Sequence, residues 1–336
     1  MLQQTVIKAV IPVYDRFIQT FPTPKSLAMT DSETVRLAVR GLGYYRRFDH
    51  LHQATKHLVF DLKGKWPKSF SEWKKMPGVG DYTAAAISSI TLNESVGVVD
   101  GNVERVMCRI LNIQSAPNLP HLKKQFKVSM DNLARLGDPG SFNQAVMELG
   151  QVVCTPLSPK CPNCPIKKNC LSFAKGTQHL APAAKTKINP VAVSLALLVP
   201  MNTKNVFLLK RSTSAKFLKG TLGFPTLIQD SRGDLKGDGF DAPAPLVEYV
   251  KKNQVDSRKI KHSITNHKIT AAVIPVPPSK VQGTRVAVSI EGAESSLVSN
   301  LDRKALVAAI KYKLPAHALT SARTKILTPP ALDQRP

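Results

Sequence analysis

The sequence predicts a multi-domain protein, an all-α half followed by an α+β half, and three observations predict it. Capped, amphipathic segments at helical spacing predominate up to about residue 176. Four cysteines between Cys154 and Cys170 close that half. Beyond a polar linker, the apolar residues gather into short β-branched runs broken by Asn, Gly and Pro. A chain of 336 residues, 43% of them hydrophobic, is long and apolar enough for two separate cores, which excludes wholesale disorder. Its 47 Lys and Arg outnumber 23 Asp and Glu, a net charge of +24 spread along the chain. Such an excess points to a polyanionic partner, nucleic acid first, because Lys and Arg displace counterions from phosphates.

The helical half opens on Thr30-x-x-Glu33, which reads as a capping box, as does Ser69-x-x-Glu72. Val35, Val39 and Leu42, then Phe48, Leu51 and Leu58, recur at helical spacing. Pro77 and Gly78 end the helix that carries Trp73, Gly80 makes a second bend, and Asp81 to Ile90 resumes as an Ala-rich helix. This is a helix–hairpin–helix pattern. Gly78 and Gly80 let the backbone approach a phosphate, towards which the first N–H groups of the second helix point. An ordinary αα-corner uses the same turn residues. Asp100 follows twenty residues after Gly80, within Gly97-Val-Val-Asp100-Gly-Asn-Val-Glu-Arg-Val106. At a helix start it serves as an N-cap, or as a rigid, partly desolvated acid kept ionised by the helix dipole.

Cys154, Cys161, Cys164 and Cys170 form a C-x6-C-x2-C-x5-C pattern. Thiols kept reduced at such spacing ligate metal, and Pro162-Asn163 supplies the turn between the two closest sulfurs. Spacing alone leaves zinc and an iron–sulfur cluster open. Cys108 stands apart in an apolar helical setting and reads as a small buried side chain.

Composition sets the domain boundaries at 1–175 for the helical part, 176–190 for the linker, 191–315 for the second domain and 316–336 for a tail. Val191–Val199, Val206–Leu209, Ile269–Val276 and Arg285–Ile290 read as strands, Asp302–Leu314 as a helix, while 229–260 shows no clear periodicity. No apolar run reaches the ~20 residues of a membrane span and the N-terminus shows no export signal, so a cytoplasmic, nucleoid-associated location is expected.

In order and spacing, Met76–Ile90, Val99-Asp-Gly-Asn-Val103, Phe142–Gly150 and the Cys154–Cys170 loop resemble the iron–sulfur branch of the helix–hairpin–helix DNA glycosylases. Met1-Leu-Gln-Gln-Thr5 and Gly41-Leu-Gly-Tyr-Tyr45-Arg46 are similar to its adenine-specific, MutY-type members. The resemblance implies a glycosylase domain with a [4Fe-4S] cluster on the four cysteines and a Nudix-like C-terminal domain that recognises 8-oxoguanine. The implied enzyme is a monomer acting on double-stranded DNA, removing adenine opposite 8-oxoguanine or guanine. Asp100 takes the catalytic position, with Tyr82 and Asn102 in support. Gln4 and Tyr44 fill the opened base stack, and Thr265 and Asn266 occupy the lesion-reading loop in place of an aromatic-containing triplet.

Two departures create alternatives. The family's glutamate general acid lies two places upstream of the residue matched by Met1, so the chain is expected to be a truncated form; as it stands, it reads alternatively as an inactive lesion-binding protein. A bifunctional pyrimidine glycosylase and abasic-site lyase is the third reading, opposed by Tyr82 where that class carries a lysine. No Arg-Glu-x-x-Glu-Glu box is present, so the second domain is expected to bind rather than hydrolyse.

Overall fold

The computed structural model describes residues 1–2, 5–117, 119–183, 189–254 and 257–313. The chain folds into two compact units, one of residues 23–29 and 46–187, the other of 1–22, 30–45 and 188–336. The first 175 residues supply α1 (Ile7–Thr20), α2 (Pro24–Met29), α3 (Ser32–Ala38), α4 (Arg46–Lys56), α5 (Phe70–Trp73), α6 (Asp81–Leu92), α7 (Gly101–Ile110), α8 (Pro120–Ala134), α9 (Pro139–Glu148) and α10 (Leu171–Ala174).

Local chemistry fixes the helix ends. Ser69 caps α5 by accepting from Glu72 N, as the sequence predicts. The cap of α3 is instead Asp31, whose carboxylate accepts from Glu33 N and Thr34 N. Its second oxygen also takes the Thr34 hydroxyl, at 2.6 Å, so Asp31 gains one partner more than the Thr30 capping box offers. Asp138 caps α9 ahead of Pro139, and Asn93 ends α6 in the left-handed conformation. Inside this unit one core gathers Val103, Met107 and Cys108 of α7 with Leu122, Phe126 and Met130 of α8. A second joins Leu58, Trp73, Met76 and Ala84 beneath the hairpin.

The second half contributes β1 (Val191–Pro200), β2 (Asn205–Lys210), β3 (Leu222–Gly223), β4 (Thr226–Gln229), β5 (Leu235–Gly237), α11 (Ala244–Gln254), β6 (Arg258–Ile264), β7 (His267–Val276), β8 (Arg285–Ser289), α12 (Ala293–Ser296) and α13 (Asn300–Lys313). A five-stranded sheet runs β5-β4-β1-β7-β6 and a three-stranded one β3-β2-β8. The central strands β1 and β7 are parallel, with Leu197 opposite Val273, and the remaining pairs are antiparallel. β1 is apolar on both faces because both are covered. Leu195, Leu197 and Val199 face a core shared with Leu301, Leu306 and Ile310 of α13, whereas Ala196 and Leu198 face Leu246 and Val250 of α11. Arg211 and Asp302 form a buried bidentate pair at 2.5 and 3.0 Å, and Asp302 also accepts Phe224 N at 3.1 Å.

The division at residue 176 therefore differs from the compact units, and hydrogen bonding explains why. Arg36 donates to Gly220 O at 2.5 Å, Arg40 to Glu294 O and Ser295 O at 3.1 Å, and the Tyr45 hydroxyl to Val298 O at 3.1 Å. Residues 30–45 thus gather with the sheets. Among the described residues, no helix is long and apolar enough to cross a membrane.

Candidate active site

The hairpin joins α5 to α6 through Pro77-Gly-Val-Gly80. Gly78 sits at φ +71°, where a Cβ would lie 2.4 Å from the Cβ of His50, so a side chain is excluded twice over. Gly80 is different: a Cβ there meets nothing within 4 Å. The missing side chain leaves open space beside the start of α6, the room a phosphate needs to reach backbone N–H groups. At that start the exposed Asp81 is tied to Lys74 at 2.6 Å.

Asp100 is the N-cap of α7. Its Oδ1 accepts from Asn102 N at 2.9 Å and Val103 N at 2.8 Å, and its Oδ2 from Asn102 Nδ2 at 3.1 Å. The carboxylate is half-buried and fixed by three donors, so both readings of the residue describe one geometry: the cap is what makes the acid rigid. Tyr82, one residue into α6, donates to Met147 Sδ at 3.6 Å. Burial, and then the charge of Asp100, push its phenol above the ordinary tyrosine range. The structure thereby brings Asp100, Asn102 and Tyr82 into one locality.

Three further residues shape this site, and the sequence analysis did not single them out. Asn143 of α9 is fully buried; its Oδ1 accepts Val98 N at 2.9 Å and its Nδ2 donates to Val96 O at 2.8 Å. It clamps the extended segment that delivers Asp100, and the signal for it is an amide on an otherwise apolar helix face. Arg105 donates to Asn102 Oδ1 at 3.0 Å, Gly150 O at 2.5 Å and Cys154 O at 2.8 Å. Gly150 lets a π-helical turn, Leu149–Val153, approach α7.

The four cysteines lie directly beyond that turn. Cys164 N donates to Cys161 O at 3.0 Å, closing the turn around Pro162 and Asn163. Cys154, Cys161, Cys164 and Cys170 line a single small cavity with Arg109, Lys167 and Phe173. Arg109 donates to Cys154 Sγ at 3.2 Å and to the carbonyls of Thr155, Pro156, Gln178 and Ala181. Cys108 is fully buried, and desolvation, with the charge of Glu104, pushes its thiol up to about 11, which makes it inert packing.

The other compact unit holds the remaining candidates. Tyr44 is 56% exposed and sits at φ +47°, after Gly41 at +96° and Gly43 at +66°. The Tyr45 hydroxyl closes this loop by accepting Gly41 N at 3.2 Å. Thr265 and Asn266 form the exposed tip of the β6–β7 hairpin, with Ile264 paired to His267 below it. Thr265 adopts φ +52°, strained for a β-branched residue. Its hydroxyl donates to Ile264 O at 2.7 Å, and the His267 ring stands edge-on to Phe217. Gln4 lies outside the described residues.

The hairpin, the braced carboxylate and the four-cysteine loop all lie in one compact unit. Residues 1–131 match the sequence model of the HhH-GPD superfamily of base excision DNA repair proteins. The chain's relatives include the adenine DNA glycosylases of Buchnera aphidicola from Schizaphis graminum (29% identical over 82% of this chain and 77% of that one) and from Acyrthosiphon pisum (31%, over 67% and 64%). The human adenine DNA glycosylase is 42% identical over 51% of this chain, which spans only 31% of the human protein. A thermostable thymine-DNA glycosylase of known structure superposes with a TM-score of 0.47 at 25% identity, over 52% of this chain and 80% of that one.

Proposed function

We propose that the chain is a monofunctional adenine DNA glycosylase, hydrolysing the N-glycosidic bond of adenine opposite 8-oxoguanine or guanine in duplex DNA and leaving an abasic site. The observation that carries this reading is Asp100, an acid held by two backbone N–H groups and an amide, with a phenol rather than an amine beside it.

A base cannot be reached inside the stack, so adenine is flipped out, at a cost of a few kcal/mol that is lower for a mispair. The hairpin at Gly78 and Gly80 anchors the backbone, and Tyr44, lifted into solvent by its loop, fills the vacated stack. Breaking the glycosidic bond leaves an oxocarbenium-like sugar, whose positive charge the Asp100 carboxylate stabilises until water adds at the sugar carbon. One proton goes to the departing adenine, so that water supplies the hydroxyl of the abasic site and the hydrogen of the free base. Three hydrogen bonds hold the Asp100 oxygens in place, so little reorganisation accompanies the reaction. Tyr82 stays protonated and cannot form a Schiff base, which limits the chemistry to hydrolysis without strand cleavage. Thr265 and Asn266, at the tip of a Nudix-like domain that binds and does not hydrolyse, read the opposite base. The chain acts as a monomer.

The four cysteines suit a [4Fe-4S] cluster. All four line one cavity in the loop that follows the π-helical turn. One thiolate per iron is the arrangement a cubane requires. Cys154, Cys161, Cys164 and Cys170 would hold it. The four thiolates of the loop that Arg105 and Arg109 grip would then be stapled together through the group.

Single-turnover assays on a duplex with one adenine opposite 8-oxoguanine test the reading. Base release, with strand scission only after alkali, is expected, together with its loss in Asp100→Asn. Scission without alkali, or borohydride trapping, would establish the lyase reading. Tight lesion binding without base release would establish a binding protein. Metal analysis should find iron and no zinc.

A further inference from the structure

Between β6 and α13 the sheet-bearing unit carries an open groove of about 670 Å³. Arg258 and His262 line it from β6, and Arg303, Lys304 and Lys311 from α13. Residues 304 and 311 are seven apart, two helical turns, and so share one face of the helix, with Arg303 on its border. Glu294 is the carboxylate on the groove's rim, and it is engaged by Arg303, whose Nε donates to it at 2.9 Å. Lys304 donates to Lys261 O at 3.1 Å. Among the described residues, no carboxylate forms an ion pair with Arg258, Lys304 or Lys311. Burial, and then the charge of Lys304, hold the His262 imidazole below its ordinary pKa, with Asp302 offsetting part of the effect.

The geometry points to a second DNA contact: this groove binds the phosphodiester backbone of the duplex whose lesion the Thr265–Asn266 tip reads. The inference rests on the glycosylase reading above and adds a site to it. Two features favour a strand over a small anion. The groove is open along its length, whereas a small-anion site gathers its donors around one point. It also follows β6 towards the hairpin tip; the seven steps from Arg258 to Thr265 span roughly 23 Å at the rise of a β-strand. That is about seven base-pair rises of duplex, so a strand contacted at the tip has its neighbouring phosphates within the groove's span. Cations gathered around a concavity repel one another and focus the field there, an arrangement suited to an anionic polymer.

The test is the salt dependence of duplex binding by the full chain. Removing Arg258, Lys304 and Lys311 together (each →Ala) should make the slope of log K against log salt less steep by about 2 to 3, since each lost phosphate contact removes about 0.9. Base release at saturating protein should stay within twofold. A control lacking Lys236, Lys251 and Lys252, outside this groove, carries the same charge change and should keep its slope. Equal slopes in the groove variant and the wild type overturn the proposal, as does an equal loss in the control. Displacement of the duplex by low-millimolar inorganic phosphate, from the wild type alone, would make the groove a small-anion site and also overturn it. A wild type that binds no duplex fails the glycosylase reading itself, a distinct outcome. Circular dichroism and thermal melting confirm that each variant is folded.

Discussion

A Cβ on Gly150 would stand 2.7 Å from the Cβ of Asn102, so the entry to the cysteine loop touches the first turn of α7 with no room for a methyl group. Gly150→Ala is expected to displace Asn102, which donates to Asp100. Overpacking of this kind costs about 1–3 kcal/mol. Catalysis should fall further than the melting temperature indicates, because the displaced amide braces the acid. Single-turnover rates beside thermal melts measure the difference; parallel losses would make Gly150 a packing residue only.

Asp100 has two functions that substitution separates. Asn retains the side-chain oxygen of an N-cap but not the charge, whereas Ala loses both. Asp100→Asn should fold as well as the wild type, bind duplex and release no adenine. Asp100→Ala should in addition lose about 1 kcal/mol of stability, the typical cost of a lost cap. Denaturant melts of both variants decide the point, and equal stability would mean that the cap hydrogen bonds contribute nothing.

Gly78→Ala meets two obstacles, the His50 ring and a positive φ. The single variant should weaken duplex binding at the hairpin. Combining it with His50→Ala should restore only part of the loss, because truncating His50 beyond its Cβ leaves the Cβ contact and the backbone strain. A double-mutant cycle on binding quantifies the share that belongs to the contact.

The Arg211–Asp302 pair is side-chain buried to 5% and 0% exposure. Asp302→Ala leaves the guanidinium uncompensated and Phe224 N without its acceptor. A loss of about 3–5 kcal/mol is expected for breaking one side of such a pair. Cooperative unfolding monitored by denaturant should register it, while activity at low temperature persists in the folded fraction.

His262 gives stability a pH dependence of known sign. Its pKa is lowered in the folded protein, chiefly by burial and then by Lys304, so the unfolded chain binds the proton more readily. The contribution is intact above the ordinary histidine pKa, about 6.5, and is lost as pH falls through the lower folded value. Melting temperatures followed from pH 8 downwards should show a decline that His262→Gln reduces; identical curves would assign it to other groups.

Much of the site was legible because its chemistry is local. The hairpin glycines, the cysteine spacing and Asp100 at a helix start each declare themselves within seventeen residues or fewer. Asn143, Arg105 and Gly150 do not, since each also acts on a segment 45 or more residues away. The strands β1, β2, β7 and β8 were readable as β-branched runs, whereas the 229–260 stretch concealed α11 and β6. β6 is an edge strand of alternating Lys and apolar residues, Lys259, Ile260, Lys261, too polar to resemble the buried runs beside it. The interleaving of residues 30–45 with the sheets was invisible, because it depends on arginine and tyrosine side chains donating to carbonyls more than 180 residues distant.

That interleaving bears on how the protein can be dissected. The hydroxyl of Tyr45 accepts from Gly41 and donates to Val298, so the loop displaying Tyr44 is held by the C-terminal part of the chain. A fragment ending near residue 187 would keep Asp100, Tyr82 and all four cysteines, yet it would surrender the anchor of the loop that displays Tyr44. Two halves that composition separates are not two separable pieces of the molecule.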